Sequence, residues 1–344
     1  MRRSNTILHI KDIHSQGYQG NNIGIAVLDT GICEHPDFIT FENRIAAFKD
    51  FVNYKNYVYD DNSHGSHVSG IIAGNGYASN GTYCGVAPKA HIISLKVLDK
   101  NGRGNVKNVL NALKWLLENY HFYHIKIVNI SVGSTSYPPD QEDSLLVHAV
   151  NMLWDEGLVV VAAAGNGGPM PQSIGTPGIS RKIITVGACD DEISYDNNSY
   201  SQNKNYSGRG PTLSCIKKPD IVAPGNHIIS CNNVFPNDLF SYSKLSAHYP
   251  LQQIYHRNQT QNYAYTYENG KKIRENLCSG FYTVKSGTSM ATPIVSGAIA
   301  LLLSKYPNLS NKDIKIRLKN TSMDLGLSHS RQGWGLLNIK KLCL

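Results

Sequence analysis

Short runs of mostly apolar residues recur along the chain, and small or polar residues follow each of them. Five of these runs cover residues 23–28, 91–98, 125–130, 158–164 and 182–186. Runs of this length predict strands that are buried on both faces, because a half-buried strand would alternate apolar and polar residues. The first half of the chain is therefore predicted to supply the strands of a buried sheet.

Segments with helical spacing of apolar residues separate some of these strands. Residues 106–118 and 142–156 predict two helices, and residues 294–303 and 311–319 predict two more towards the C-terminus. Strands that alternate with helices predict right-handed crossovers and a parallel sheet. We therefore predict an α/β fold of three layers, with a mostly parallel central sheet and helices on both faces.

The domain organisation follows from length and from the places where periodicity is lost. A chain of 344 residues fits one large domain or two modest ones, and no repeat or clean linker divides it. Residues 232–282 are rich in Tyr, Asn, Gln and Ser and show little periodicity, which predicts an insertion or a lid. We predict a short N-terminal extension over residues 1–22 and one domain over residues 23–344.

Composition excludes several classes of protein. The chain is 41% hydrophobic and 17% charged, which is typical of a globular protein, and no apolar run approaches the roughly 20 residues of a membrane span. The net charge of +8 is spread along the sequence, and no nucleic-acid-binding module is recognisable. We predict neither a nucleic-acid nor a membrane partner.

The cysteines and the N-terminus bear on the compartment. The seven cysteines are scattered and include no CxxC pair, so zinc spacing is absent and thiols in a reducing compartment are favoured. Residues 1–20 lack the apolar core of a secretory signal. These features predict a cytoplasmic protein, or a secreted one if a leader has been removed.

Three residues at predicted element ends could act together in catalysis. Asp29 follows the first strand, His64 begins a segment of small and apolar residues, and Ser289 precedes an apolar helix. Each alone has a common structural interpretation as a turn, packing or capping residue. Together they match the requirements of a serine nucleophile, its imidazole base and the carboxylate that orients the base, in one of the known chain orders. His67, one turn later, is interpreted as a packing residue.

Several motifs extend this pattern along the chain. They are Asp29-Thr30-Gly31, His64-Gly65-Ser66-His67-Val68, Gly85-Val86-Ala87-Pro88, Asn129-Ile130-Ser131-Val132-Gly133, Ala162-Ala163-Ala164-Gly165-Asn166, Ala223-Pro224-Gly225 and Gly287-Thr288-Ser289-Met290-Ala291-Thr292-Pro293. Their types and order resemble the subtilisin family of serine proteases, the subtilases, with the intracellular bacterial branch looking most similar.

The resemblance implies a role for each matching residue. Ser289 would attack the scissile carbonyl, His64 would act as base and then acid, and Asp29 would orient His64. Asn166 and the backbone N–H of Ser289 would stabilise the oxyanion. The residues implied to bind substrate are Ser131, Val132 and Gly133 as a strand that pairs with the peptide, Ala163, Ala164 and Gly165 as the opposite wall of the S1 pocket, and Gly175 at its base. Small residues there predict a preference for large apolar or aromatic P1 side chains.

Departures from the family pattern qualify these implications. Ser66 stands for the usual threonine, and Cys33 stands for an aspartate that usually follows the catalytic one. The loop 76–83 lacks the family's calcium-loop pattern, although Asp37 and Asn80 supply oxygens, so structural Ca²⁺ is an open alternative and no cofactor is predicted for catalysis.

We therefore predict a serine endopeptidase that acts on proteins or peptides through an acyl-enzyme. The alternative is a subtilase-like regulatory or binding protein without turnover. A missing triad member would favour that alternative, and none is missing. A related enzyme with a Glu-Asp-Ser arrangement is disfavoured by His64.

Overall fold

The computed structural model describes residues 8–133, 143–190, 205–233, 263–268, 271–276 and 280–344, the two short segments 263–268 and 271–276 as backbone only. The strands in these residues are β1 (Gly24–Asp29), β2 (Ile45–Asp50), β3 (His91–Lys96), β4 (Ile125–Ile130), β5 (Val159–Ala163), β6 (Ile184–Ala188), β7 (Ile221–Ala223), β8 (Ile228–Cys231), β9 (Tyr263–Glu268), β10 (Lys271–Asn276) and β11 (Tyr282–Lys285). The helices are α1 (Ile10–His14), α2 (Pro36–Ile39), α3 (His64–Ala73), α4 (Val106–Asn119), α5 (Leu145–Asp155), α6 (Thr288–Lys305), α7 (Asn311–Thr321), α8 (His329–Gln332) and α9 (Ile339–Cys343).

A parallel sheet forms the middle layer of the described structure. Its strands lie in the order β2-β3-β1-β4-β5-β6-β7, and each neighbouring pair is parallel. β1, β5, β6 and β7 are buried at every position, and continuous apolar runs predicted this for β1, β5 and β6. The α/β fold with a parallel central sheet is confirmed.

Strand order locates the part of the sheet where a ligand can bind. β2 and β3 lie on one side of β1, with β3 next to it, and β4 to β7 lie on the other side. The order therefore changes direction between β1 and β4, and ligands of open parallel sheets bind at such a point, beyond the carboxyl ends of the strands. Asp29 is the last residue of β1, and Ser131 follows β4 directly.

α6 is the central helix of the domain. It is apolar around most of its circumference and buried from Met290 to Leu303, so it packs inside the domain with no solvent-facing stripe. By length and composition alone it could cross a membrane, but 83% of that window is buried against other residues. The helix predicted over residues 294–303 is confirmed, but it begins six residues earlier, at Thr288.

Some elements lack a signal in the local sequence pattern. β2 has four apolar residues over 45–48 but is buried only at its ends and partly exposed between them, so it matches neither a fully buried nor an alternating strand. β8 and β11 pair as an antiparallel ribbon that joins segments about 50 residues apart. Within the predicted N-terminal extension, α1 buries Ile10 and Ile13 against the domain.

The predicted insertion leaves and re-enters the domain at one place. The backbone N–H of Asn232 donates to the carbonyl oxygen of Phe281 over 2.7 Å. Phe281 and Tyr282, at the end of the predicted insertion, are buried in the core. β9 and β10 form an antiparallel pair within it. The remaining residues of the insertion, 234–262, 269–270 and 277–279, lie outside the described residues, and the domain boundaries stay a prediction.

Candidate active site

Asp29 and His64 meet at the carboxyl end of β1. Nδ1 of His64, the first residue of α3, lies 2.7 Å from Oδ1 of Asp29. The Asp29 side chain is 1% exposed and that of His64 is 24% exposed, so the imidazole extends from a buried carboxylate towards the surface. A carboxylate can only accept, so Nδ1 carries the shared hydrogen and Nε2 remains to take up a proton.

The surroundings of His64 favour its charged form. Burial alone would lower the pKa of the imidazole, but attraction to the Asp29 carboxylate and their hydrogen bond outweigh burial, and the pKa of His64 is raised above its ordinary value of 6.5. The ammonium group of Lys285 opposes this effect and Asp60 adds to it. A raised pKa suits a group that must accept a proton from a serine.

Ser289 lies in the first turn of α6, two residues after Gly287, where any other residue would be strained. Gly287, the N-cap residue, has φ 148° and ψ 161°, a conformation essentially restricted to glycine. A Cβ atom there would lie 3.3 Å from Nδ2 of Asn166. Gly287 therefore keeps open the space in front of the Asn166 amide.

Two N–H donors border this space, since a Cβ atom on Gly287 would lie 3.3 Å from Nδ2 of Asn166 and 3.7 Å from the backbone nitrogen of Ser289. Oδ1 of Asn166 accepts hydrogen bonds from the backbone N–H and the hydroxyl of Thr288, each over 3.0 Å. These bonds fix which end of the amide is oxygen and leave its NH₂ group to donate elsewhere. The N–H of Ser289 is one of the first four of α6, which have no intrahelical acceptor. Together the two groups can stabilise a negatively charged oxygen.

Ser131 joins β4 to the start of α6. Its hydroxyl donates to the carbonyl oxygen of Ser289 over 3.1 Å, and the Ser289 hydroxyl donates to the carbonyl oxygen of Ser131 over 2.7 Å. The Ser289 carbonyl is available because Pro293, four residues later, has no N–H to donate to it.

The segments after β4 and β5 approach each other across a narrow gap. The N–H of Gly175 donates to the carbonyl oxygen of Ala164 over 2.9 Å, which attaches residue 175 to the end of β5. A Cβ atom on Gly133 would lie 3.5 Å from the carbonyl oxygen of Thr176. Gly165 has φ 87°, and a Cβ atom on it would lie 3.4 Å from the backbone nitrogen of Gly175.

The exposure of these segments differs along their length. Ser131 is buried, Val132 is half-buried and Gly133 is exposed, while Ala163 and Ala164 are buried. The fold thus brings all the predicted substrate-binding segments to one edge of the sheet. Their roles in binding stay predictions.

The sequence model of the subtilase family matches residues 20–335, which is most of the chain. The chain belongs to the subtilase family. Membership places it among the subtilisin-type serine proteases, as the motifs indicated.

Curated subtilases support the assignment over the same region. The chain is 38% identical over 323 residues to the serine protease AprX of Bacillus subtilis (strain 168), covering 91% of this chain and 64% of AprX. It is 30% identical over 331 residues to subtilisin DY of Bacillus licheniformis, covering 95% of this chain and 93% of that protein. The chain therefore spans somewhat less than two thirds of AprX and nearly all of subtilisin DY.

Solved structures agree with the fold. The prenylagaramide maturation protease PagA superimposes on this chain with a TM-score of 0.64 at 23% identity, covering 97% of this chain and 96% of PagA. A cold-adapted subtilisin-like serine proteinase superimposes with a TM-score of 0.61 at 24% identity, covering 93% and 88%.

The residues around Asp37 do not fit the calcium ion that the subtilase resemblance left open. Calcium needs about six to eight oxygen ligands. Both carboxylate oxygens of Asp37 instead accept hydrogen bonds, from the N–H groups of Gly76 (3.1 Å) and Ala78 (3.0 Å) and from the hydroxyl of Tyr282 (2.9 Å to each oxygen). The side chain of Asn80 is exposed. We call this hydrogen-bonded group, Asp37 with Gly76, Ala78 and Tyr282, the Asp37 corner.

A transition metal does not fit the Asp37 corner either. His35 and Cys231 lie beside Asp37, but the His35 nitrogens already bond the N–H of Asp37 (3.0 Å) and the carbonyl of Phe281 (2.8 Å). The Cys231 thiol donates to Asp37 over 3.6 Å, and burial raises the pKa of this thiol well above its usual value. A thiol that keeps its proton is a poor metal ligand.

His67 and Cys33, which the sequence analysis singled out near the candidate triad, are both buried. His67 is fully buried, and its Nε2 lies 3.0 Å from the carbonyl oxygen of Ile228 and 3.2 Å from that of Thr283. It thus holds the β8–β11 ribbon, and its interpretation as a packing residue is confirmed. Cys33 is 3% exposed, and its thiol contacts the carbonyl of Asn232 over 3.4 Å.

Sequence reasoning missed contacts that support the nucleophile. The N–H of Gly287 donates to the carbonyl oxygen of Gly225 over 2.9 Å, and a Cβ atom on Gly225 would lie 2.8 Å from the carbonyl oxygen of Gly287. The motif Ala223-Pro224-Gly225 therefore supports the loop before Ser289. The local sequence signal for this close approach is Gly225, which stands between the turn-forming residues Pro224 and Asn226.

Proposed function

We propose that the chain is a serine endopeptidase that hydrolyses peptide bonds through an acyl-enzyme. The observation that carries the proposal is the Asp29–His64 pair, in which a buried carboxylate 2.7 Å from Nδ1 raises the pKa of an imidazole that is open on its other side. An imidazole oriented and stabilised in this way is the base that a serine hydroxyl requires.

The proposed reaction uses these groups in turn. The Ser289 hydroxyl, which donates to the Ser131 carbonyl oxygen in the structure, would first rotate about χ1 to donate to Nε2 of His64. His64 takes the hydroxyl proton as Oγ bonds to the scissile carbonyl carbon. The negative oxygen that forms accepts hydrogen bonds from the Asn166 NH₂ group and the Ser289 N–H.

The second half of the cycle returns the enzyme to its starting state. His64 gives its proton to the departing amine as the C–N bond breaks, and the acyl group stays on Ser289. A water molecule then loses a proton to His64 and attacks the acyl carbon, which releases the carboxylate product and restores the hydroxyl. Asp29 keeps its charge throughout and stabilises the imidazolium.

A labelling experiment tests the proposal. A fluorophosphonate probe phosphonylates a serine that is activated by a base, so we expect it to label the protein and to fail on Ser289→Ala. Ser304→Ala is the matched control, because Ser304 lies on the same helix and its hydroxyl, within the described part of the chain, bonds only the carbonyl oxygen of Leu301. Absence of labelling of the folded parent protein would contradict the proposal, as would equal labelling of Ser289→Ala.

Substrate preference is the finer part of the proposal. We propose broad cleavage of proteins and peptides, with preference for large apolar or aromatic P1 side chains. Support comes from the small residues on the wall formed by Ala163, Ala164 and Gly165 and from the absence of a side chain at Gly175. A peptide library varied at P1 is the test, and preference for acidic or β-branched P1 residues would contradict it.

We also propose that the protein acts in the bacterial cytoplasm. Cys215, Cys231 and Cys343 carry free thiols, which a reducing compartment preserves. Cell fractionation followed by immunoblotting is the measurement. Recovery of the protein from the culture medium of intact cells would contradict this proposal without affecting the catalytic one.

A further inference from the structure

A further buried aspartate, Asp60, bonds to residues next to both proposed triad residues Asp29 and His64. Asp60 is 6% exposed, and its carboxylate accepts five hydrogen bonds. Oδ1 accepts from the hydroxyl of Thr30 (2.9 Å) and from the N–H groups of Asn62 and Ser63 (3.0 Å each), and Oδ2 accepts from the N–H (2.8 Å) and the hydroxyl (2.7 Å) of Ser66. None of these bonds is used in the reaction described above.

The bonds to Ser63 and Ser66 replace an ordinary helix cap. The N-cap residue of α3 is Ser63, but it has φ 82° and its side chain makes no capping bond. Asp60 supplies the missing acceptor to the third N–H of the helix, where a negative charge is also favoured by the helix dipole. Because His64 is the first residue of α3, Asp60 fixes the backbone that carries the imidazole.

The bond to Thr30 connects the same carboxylate to the other triad residue. Thr30 follows Asp29, and its N–H donates to Oδ1 of Asp29 over 2.7 Å. Its hydroxyl donates to Asp60 and accepts from the N–H of Gly65 over 2.9 Å. The residue after Asp29 and the residue after His64 are therefore joined through one hydroxyl, which Asp60 orients.

We infer that Asp60 is a positioning residue of the triad, which sets the distance and angle between the Asp29 carboxylate and the His64 imidazole. The inference rests on the proposed function. A misplacement of about 1 Å can lower an enzyme's rate by about 10²-fold, so loss of Asp60 is expected to act on kcat.

The main test is Asp60→Asn. Asparagine keeps the size but offers one oxygen and one NH₂ group, so a donor would face either Ser66 or the group formed by Thr30, Asn62 and Ser63. We expect kcat for a peptide substrate, per folded molecule, to fall about 10- to 100-fold while KM changes less than about threefold. Folding is checked by circular dichroism before the kinetics are measured.

Asp50→Asn is the matched control. Asp50 is 1% exposed and also accepts four hydrogen bonds, from the N–H groups of Val52, Asn53 and Lys55 and from the hydroxyl of Tyr59, but these lie in the loop after β2. A purely structural role for Asp60 predicts the same small change in kcat for both variants. Equal kcat in the two variants, each within about threefold of the parent, would overturn the inference.

A second pair of variants decides the question if Asp60→Asn does not fold. Thr30→Val removes the hydroxyl and keeps the shape, whereas Thr30→Ser keeps the hydroxyl. We expect the valine variant to lower kcat by about 10-fold and the serine variant to restore it to within about threefold of the parent. If Thr30→Val leaves kcat unchanged, the inference is wrong. A parent protein that shows no turnover at all refutes the proposed function instead.

Discussion

Asp29 and Asp37 are two buried aspartates on one stretch of chain that the fold uses in opposite ways. Oδ1 of Asp29 accepts from His64 and Thr30, both over 2.7 Å, while its Oδ2 is buried without a hydrogen-bond partner among the described residues. Both oxygens of Asp37 are taken by donors from the loop 76–78 and from Tyr282. The Asp29 carboxylate thus accepts hydrogen bonds on one oxygen only among the described residues, whereas the Asp37 carboxylate accepts them on both.

The difference agrees with the roles that we propose for the two carboxylates, catalytic for Asp29 and structural for Asp37. With few other donors to Asp29, its charge and its hydrogen bond to Nδ1 raise the pKa of the neighbouring His64 imidazole. The charge of Asp37 is distributed over backbone N–H groups and a hydroxyl, and so it holds three segments of chain together. Four experiments test this comparison.

The largest effect is expected for Asp29→Asn. Asparagine can donate to Nδ1 of His64 and so stabilise the wrong tautomer, and it cannot stabilise the imidazolium. We expect kcat to fall about 10⁴-fold, the magnitude of other Asp–His–Ser triads, with the fold retained. Steady-state kinetics with a peptide substrate measure this effect. A loss of less than tenfold would contradict the role of Asp29.

Asp37→Asn is expected to act on stability. An NH₂ group in place of either oxygen would face a buried N–H donor and the Tyr282 hydroxyl, and a buried donor left without an acceptor costs about 1–3 kcal/mol. Urea denaturation should show a fall in the free energy of unfolding of about 3 kcal/mol for the site. The value of kcat per folded molecule should stay close to that of the parent. A large loss of kcat would contradict the purely structural role of Asp37.

The pH profile tests the electrostatic half of the comparison. Catalysis requires neutral His64, so kcat/KM should rise with pH through the pKa of His64, which is raised above 6.5 by Asp29 and Asp60 and lowered by Lys285. Lys285→Met removes the opposing charge and should move this rise to higher pH. An unchanged profile would show that Lys285 does not act on His64; a shift to lower pH would reverse the assigned sign.

The smallest effect is expected from removing metal ions. If hydrogen bonds alone hold the Asp37 corner, EDTA should leave the Tm of the parent protein unchanged, and added Ca²⁺ should not raise it. Differential scanning calorimetry with and without EDTA measures this. A Tm that falls in EDTA and recovers with Ca²⁺ would establish the calcium site that the arrangement around Asp37 disfavours.

The local sequence pattern was sufficient for the layers and for the residue types of the site. Continuous apolar runs predicted β1 and β3 to β6, because strands buried on both faces need no polar positions. The chain order of Asp29, His64 and Ser289 carried the chemistry, since a serine, an imidazole and a carboxylate at element ends have few joint uses. β2, β7, β8 and β11 were not predicted: β7 has only three residues, and β8 and β11 pair with each other across about 50 residues of chain.

The sequence by itself determined which residues are the candidates for catalysis, and the tertiary structure decided how each is held. Thr288 bonds the Asn166 oxygen across 122 residues, Ser131 reaches the Ser289 carbonyl across 158, and Tyr282 completes the Asp37 corner across 245. A one-dimensional pattern records residue type and spacing, whereas a hydrogen bond depends on which donor the fold brings to which acceptor. Asp60 was overlooked for the same reason: its position in a polar loop is ordinary, and only the folded chain surrounds it with five donors.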